Sequence, residues 1–231
     1  MFPQKAVLSL YNMTQSSTYF DEFEELKNEN IKLKNEIAEL KNKMIDYDLV
    51  KSENQLLNAK DEISREFSQY STIIAEVISF SPNNFEKIYT INKGSKDGIK
   101  EKMTVITQEG LVGYVSKVLD NTSNITAIID ASTSFSARNT NTKDLFVAGG
   151  TMSFMNDNKL LATEIPFGSS FQSGDIIETS GIGSLFPRGI KIGKILEYNA
   201  DENPLESSAT IQSSVDFNKL DVVAILLKEE I

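Results

Sequence analysis

Four of the chain's 12 glycines fall within Glu178–Lys194, ETSGIGSLFPRGIKIGK. Glycine this dense can cradle a phosphate or sharpen the turn beneath a nucleophile. A dinucleotide fingerprint needs G-x-G-x-x-G, but Gly181-Ile182-Gly183 is followed three residues later by Phe186. A phosphate-binding P-loop needs four residues between its glycines. Gly189 and Gly193 have three between them, and Lys194 is followed by Ile195 instead of Ser or Thr. A nucleophile elbow needs G-x-S-x-G, and Ser180 has Glu178 before it and Ile182 after. Each test fails at a named position.

The composition removes further chemistry. The 231 residues include no His and no Cys. That excludes Ser-His-Asp and Cys-His catalysis, disulfides and nitrogen- or sulfur-ligated metal sites. Glu164, Asp175 and Glu178 could form a glycosidase pair, but a sugar cleft leans on aromatic platforms and Trp is absent. They read instead as solvated strand and turn positions. Asn156-Asp157-Asn158 is dense in oxygen, yet it lacks the Gly and Glu of a calcium loop and reads as a hairpin turn. No cofactor or metal is expected. The net charge of −10 disfavours nucleic acid as a partner. The glycines therefore read as architecture: Gly181 and Gly183 where positive φ is cheap, Gly189 and Gly193 where strands cross closely. Phe186 and Pro187 at the tip face either a core or a partner.

Two unlike elements carry these residues. Between Pro3 and Pro82 there is neither Gly nor Pro, and Glu, Lys, Leu and Asn abound. This predicts a helix over residues 14–77, behind a membrane-proximal segment at 1–13. Phe23, Asn30, Ile37 and Met44 fall at a positions, and Leu26, Leu33, Leu40 and Tyr47 at d positions. In a parallel dimer, g residues meet e′ residues as Glu22–Lys27, Glu29–Lys34, Glu36–Lys41 and Lys43–Asp48, all attractive. An antiparallel pair would oppose Lys27, Lys34 and Lys41 to one another, so the charges select the parallel form. Asn30 in the seam suits a registered two-stranded coil. After Tyr47 the frame slips to Leu49, Leu56, Ile63, Tyr70 and Val77, with Phe67 and Ile74 beside them.

Every glycine lies between Gly94 and Gly193. Over this region short β-branched runs alternate with turn signals such as Asp97-Gly98 and Glu109-Gly110. Twelve strands are expected between Ile73 and Leu227, including Asn124–Ile129, Leu145–Met155 and Val222–Leu227. The fold class is thus a long N-terminal α-helix, paired as a parallel coiled coil, then an all-β body of two six-stranded barrel or sandwich domains. The first domain is expected at 78–130, with 205–231 able to complete it, and the second at 131–204. Met103–Val118 and Ile176–Ile195 echo each other: a β-branched pair, a Thr, a glycine turn, then a Gly-led strand.

An ordered set of motifs also resembles the MreC family of bacterial rod-shape-determining proteins. It comprises KGSKDG (Lys93–Gly98, with Gly94), GLVG (Gly110–Gly113), GD (Gly174-Asp175), TSG (Thr179-Ser180-Gly181), FPRG (Phe186-Pro187 to Gly189) and IGKI (Ile192–Ile195, with Gly193). The resemblance covers about residues 20–227. It implies a non-enzymatic scaffold that organises cell-wall elongation and maintains cell shape. The implied partners are a second copy, MreD, the MreB system, RodA and penicillin-binding proteins. The implied setting is the extracytoplasmic face of the cell membrane, reached through an N-terminal membrane helix. This sequence shows no such helix, so the chain reads as a soluble truncation of a single-pass protein. Binding is expected through β surfaces and strand edges. The alternative is a periplasmic adaptor of an efflux or secretion system, which also joins coil to β domains but usually through a helical hairpin. A hydrolase on trypsin-like barrels is a third class, opposed by the absence of His.

Overall fold

The computed structural model describes residues 24, 26–47, 50–51, 54, 57–58, 70–81, 86–183, 185–200 and 207–227. The chain divides into two units, Met1–Asn54 and Gln55–Ile231. In the first, every described residue is helical, and 26–47 is unbroken. This helix, α1, is exposed all round. Its Lys43–Glu39 ion pair at 2.8 Å stands in solvent and adds little. A lone helix of this kind gains its stability from an apolar stripe meeting a partner.

The second unit holds two closed antiparallel barrels. The first comprises β1 (Ser71–Phe80), β2 (Ile88–Ile91), β3 (Thr104–Ile106), β4 (Leu111–Val118), β5 (Ser123–Ala127) and β12 (Val222–Leu227), in the order β1-β12-β3-β4-β5-β2. The second comprises β6 (Ser134–Asn139), β7 (Leu145–Gly149), β8 (Lys159–Thr163), β9 (Ile176–Thr179), β10 (Lys191–Asn199) and β11 (Ser208–Ser213), in the order β10-β11-β8-β7-β6-β9. Taking β12 as the first stave of its barrel makes the two wirings identical, neighbour for neighbour. The second barrel is built in chain order, and the first borrows its opening stave from the C-terminal end.

The echo between the two glycine-led strands belongs to this repeat. β4 and β10 occupy equivalent places, and each leads with a glycine against a crossing strand. A Cβ on Gly113 would lie 2.0 Å from Thr126 O, and one on Gly193 would lie 1.9 Å from Gln212 O. Each strand then bulges at the same offset, between Val115 and Lys117 and between Ile195 and Glu197. Small barrels need such bends to close.

Several boundaries differ from the sequence reading. The helix expected through Val77 has given way to strand by Ser71. Thr72-Ile73-Ile74 is a β-branched run, and Ala75 is buried while Ile73, Ile74 and Val77 pack on the core. Tyr70, Ile74 and Val77 are therefore no heptad positions; Leu49, Leu56, Ile63 and Phe67 lie outside the described residues. β5 stops at Ala127, and Ile128, Ile129 and Asp130 form a buried crossing between the barrels. β7 stops at Gly149 instead of running to Met155. A Cβ on Gly150 would meet Ile129 O at 2.2 Å, so the crossing chain occupies the space a longer strand would need. β11 pairs with β10 and β8, so 208–213 belongs to the second barrel, not to the completion of the first.

One apolar core runs through both barrels. The return from β11 to β12 is pinned to it by Val215, Phe217 and Leu220. The buried Tyr89 hydroxyl donates to Phe217 O at 2.8 Å. Burial, and secondarily the charge on Asp216, pushes that phenol up to about 12.

Candidate interaction surfaces

On α1, Leu26, Asn30, Leu33, Ile37, Leu40, Met44 and Tyr47 are helical and exposed; Phe23 lies outside the described residues. An unbroken helix at 3.6 residues per turn sets these positions along one stripe. Large apolar side chains this exposed on a helix mark a surface suited to interaction.

The β motifs turn out to be fastenings. In Glu178–Lys194, β9 runs into a loop and returns as β10. Gly189 N–H donates to Thr179 O at 2.9 Å, and Thr179 N–H to Ile190 O at 2.8 Å. The Thr179 hydroxyl donates to Pro187 O and accepts from Ile190 N–H. Ser180 Oγ donates to Ser136 O at 3.0 Å and accepts from Ile182 N–H at 3.0 Å. Gly181 sits at φ 83°, and a Cβ there would crowd Arg188. Phe186 is buried between the barrels, edge-on to Phe135 with centroids 5.2 Å apart and 6.4 Å from Tyr114. Beside it Thr104 Oγ1 donates across the junction to Leu185 O at 3.3 Å. The tip therefore faces the core. Phe186 was legible in the sequence, but its partners Tyr114, Phe135 and Thr104 were not, because they come from three separate strands.

The other motifs behave alike. Asp97 accepts Gly94 N–H at 3.0 Å and pairs with Lys93 at 2.9 Å; the backbone bond first, then Lys93, holds its carboxyl below the usual range. Gly98 ends the short 3-10 turn Ser95–Asp97 in the left-handed region. Gly110 lies where a Cβ would strike Lys191 O at 2.3 Å, so GLVG touches the second barrel. Gly174 turns the chain into Asp175. Burial raises the Asp175 carboxyl, but donors from Gln172 N–H (3.0 Å), Asn139 (2.8 Å) and Asn141 (2.6 Å) outweigh it and leave it below its ordinary value.

The carboxylates considered for glycosidase chemistry are employed elsewhere. Asp175 is held as above, Glu178 pairs with Arg138 on the adjacent strand, and Glu164 sits in the turn after β8. Asn158 donates from its turn to Asp216 in the β11–β12 connection at 3.1 Å. Among the described residues no three acidic side chains gather as a metal site, and no helix is long and apolar enough to cross a membrane. A scatter of large apolar side chains faces solvent on the barrels, with Phe80, Met152, Phe167 and Ile182 the most open among the described residues.

The fold and its surfaces define a structural class: an exposed helix and, in the second unit, twin barrels whose motif residues hold loops and junctions. Residues 77–227 match the family model described as "Rod shape-determining protein MreC, barrel core", and the chain belongs to the MreC family. It is 32% identical over 180 residues to the cell shape-determining protein MreC of Listeria monocytogenes, covering 77% of this chain and 60% of that protein. It is 29% identical over 191 residues to the Bacillus subtilis protein of the same name, covering 78% and 65%. The chain thus spans less than two thirds of either relative. Among solved structures, Listeria MreC superposes with a TM-score of 0.63 at 27% identity, covering 83% of this chain and 95% of that one. An MreC chain solved in complex with penicillin-binding protein PBP2 from Helicobacter pylori superposes at 0.52 and 14% identity, covering 68% and 100%. Family membership does not favour the adaptor alternative.

Proposed function

We propose that this chain is a non-enzymatic scaffold that organises cell-wall elongation outside the cytoplasmic membrane and so maintains cell shape. It pairs in parallel through α1, setting two twin-barrel bodies side by side. A penicillin-binding protein is its first partner, in line with the Helicobacter pylori MreC chain solved with PBP2. MreD, RodA and the MreB system follow from the family resemblance, as does attachment through a membrane helix. The observation that carries the scaffold reading is where the polar motif residues are spent. Asp97, Asp175, Thr179 and Ser180 each bond backbone or neighbouring turns, so these four side chains are spent on structure.

The test has two arms. A cysteine replacing Leu33 should cross-link two chains under oxidation at micromolar concentration; its failure would count against the parallel coil. The cognate penicillin-binding protein ectodomain should be retained on the immobilised chain. If neither that protein nor MreD is captured, the scaffold reading falls.

A further inference from the structure

α1 carries a second heptad-spaced face that the a/d stripe does not use. The f positions hold Asn28, Asn35 and Asn42, and the b positions hold Ile31, Ala38 and Ile45. The steps between them alternate by three and four residues, as those of the a/d stripe do. Around a coiled-coil helix the positions run a, e, b, f, c, g, d, so the b/f face lies on the far side from a/d. All six residues are helical and exposed, Ile31 at 49% and Ile45 at 58%.

The charges are sorted to match. Between Lys27 and Asp46 every c, e and g position is charged: Lys32, Glu39 and Asp46 at c, Lys27, Lys34 and Lys41 at e, Glu29, Glu36 and Lys43 at g. No b or f position in that span is. Outward helix positions are ordinarily polar and charged, and two uncharged faces separated by charged columns are the pattern of a helix with two neighbours. In a parallel pair closed on a/d, Ile31, Ala38 and Ile45 remain outside.

The flanking charges name the occupant. The e and c columns border the b/f face. Against a parallel, in-register copy, each e residue meets the c residue five later, so Lys34–Glu39 and Lys41–Asp46 attract while Lys27–Lys32 repels. Reversing the copy would oppose Lys27, Lys34 and Lys41 to one another. Glu39 also pairs with Lys43 of its own helix at 2.8 Å, a contact in solvent too weak to withhold it. The net charge of −10 holds copies apart elsewhere, so an uncharged face is where two coil pairs approach with least repulsion.

We infer that the b/f face of α1 takes up the same face of a second coil pair, parallel and in register. This rests on the parallel pairing proposed above. Contacts that alternate a/d with b/f do not close, and they build a row of coil pairs. Three Asn and one Ala make the b/f contact the weaker of the two, so pairs form first and rows at higher concentration.

The test is oxidative cross-linking and sedimentation of the full chain, whose lack of native Cys makes every link attributable. Leu33→Cys reads the a/d contact and Ile31→Cys the b/f contact. Both single variants should give linked pairs, Ile31→Cys only at roughly 100 µM and above, the range of a weak contact. A variant with both cysteines should give four chains and more. Ile31→Lys with Ile45→Lys should keep the Leu33→Cys link and helix content, and should weaken association beyond the pair at least about tenfold. A Leu33→Cys link with no Ile31→Cys link overturns the second face and leaves the pairing standing. No Leu33→Cys link overturns the pairing and the row with it. Larger species that persist in the double lysine variant overturn the second face, because another surface then joins the pairs.

Discussion

At the scale of single residues, two kinds of position matter: glycines where backbones touch, and polar side chains that fasten loops. Gly193 is the clearest of the first kind. Its missing Cβ would overlap Gln212 O, a main-chain atom that cannot swing aside. Gly193→Ala should cost about 2–4 kcal/mol, read as a lowered denaturant midpoint. Asp175 is the clearest of the second kind. Its folded pKa lies below the ordinary 3.8, so its ionised form adds stability above that pH. That contribution fades as pH falls through the folded value. Asp175→Asn should therefore lower stability at pH 7 by about 1–2 kcal/mol, since three donors lose a charged acceptor. The gap between variant and wild type should close as melting is followed below pH 4. A gap that persists in acid would mean the side chain acts through packing.

At the scale of elements, α1 and the barrel strands were unequally legible. The helix of α1 could be read from residue types alone, and with it the proposed seam, because helix period and heptad spacing are local properties. Asn30 then carries a specific expectation. A polar seam residue holds register and pair number at some cost in stability. Asn30→Val should raise the melting temperature of the helix, while sedimentation equilibrium should show species larger than a dimer. Among the strands, existence was readable and extent was not. β7 ends early because another chain segment crosses at Ile129, and β1 begins early because barrel packing claims Ile73 and Ile74. Neither cause lies within a short window of sequence.

At the scale of the molecule, the two barrels are one wiring used twice, with a stave moved from one end of the chain to the other. β12 closes the first barrel between β1 and β3. A chain ending at Ser213 should lose amide protection in β1 and β3 first, with β6–β11 retaining more, as hydrogen exchange would register. Phe186 in FPRG packs against Tyr114 of the first barrel and Phe135 of the second, so the glycine stretch tested for chemistry supplies packing between the barrels.

Composition and spacing alone determined much of this protein. The absence of His and Cys closed off whole reaction classes, the glycine tests failed at named residues, and heptad charges set the expectation of a parallel pair. The ordered motifs pointed to the family. These are properties of residue type and local order, which a linear text carries. Only the tertiary structure decided that β12 is a stave of the first barrel and β11 of the second, and that Phe186 meets Tyr114 and Phe135. Each depends on which distant segments come to lie side by side. That choice is made by closing two barrels around a shared core, and no single stretch of the chain records it.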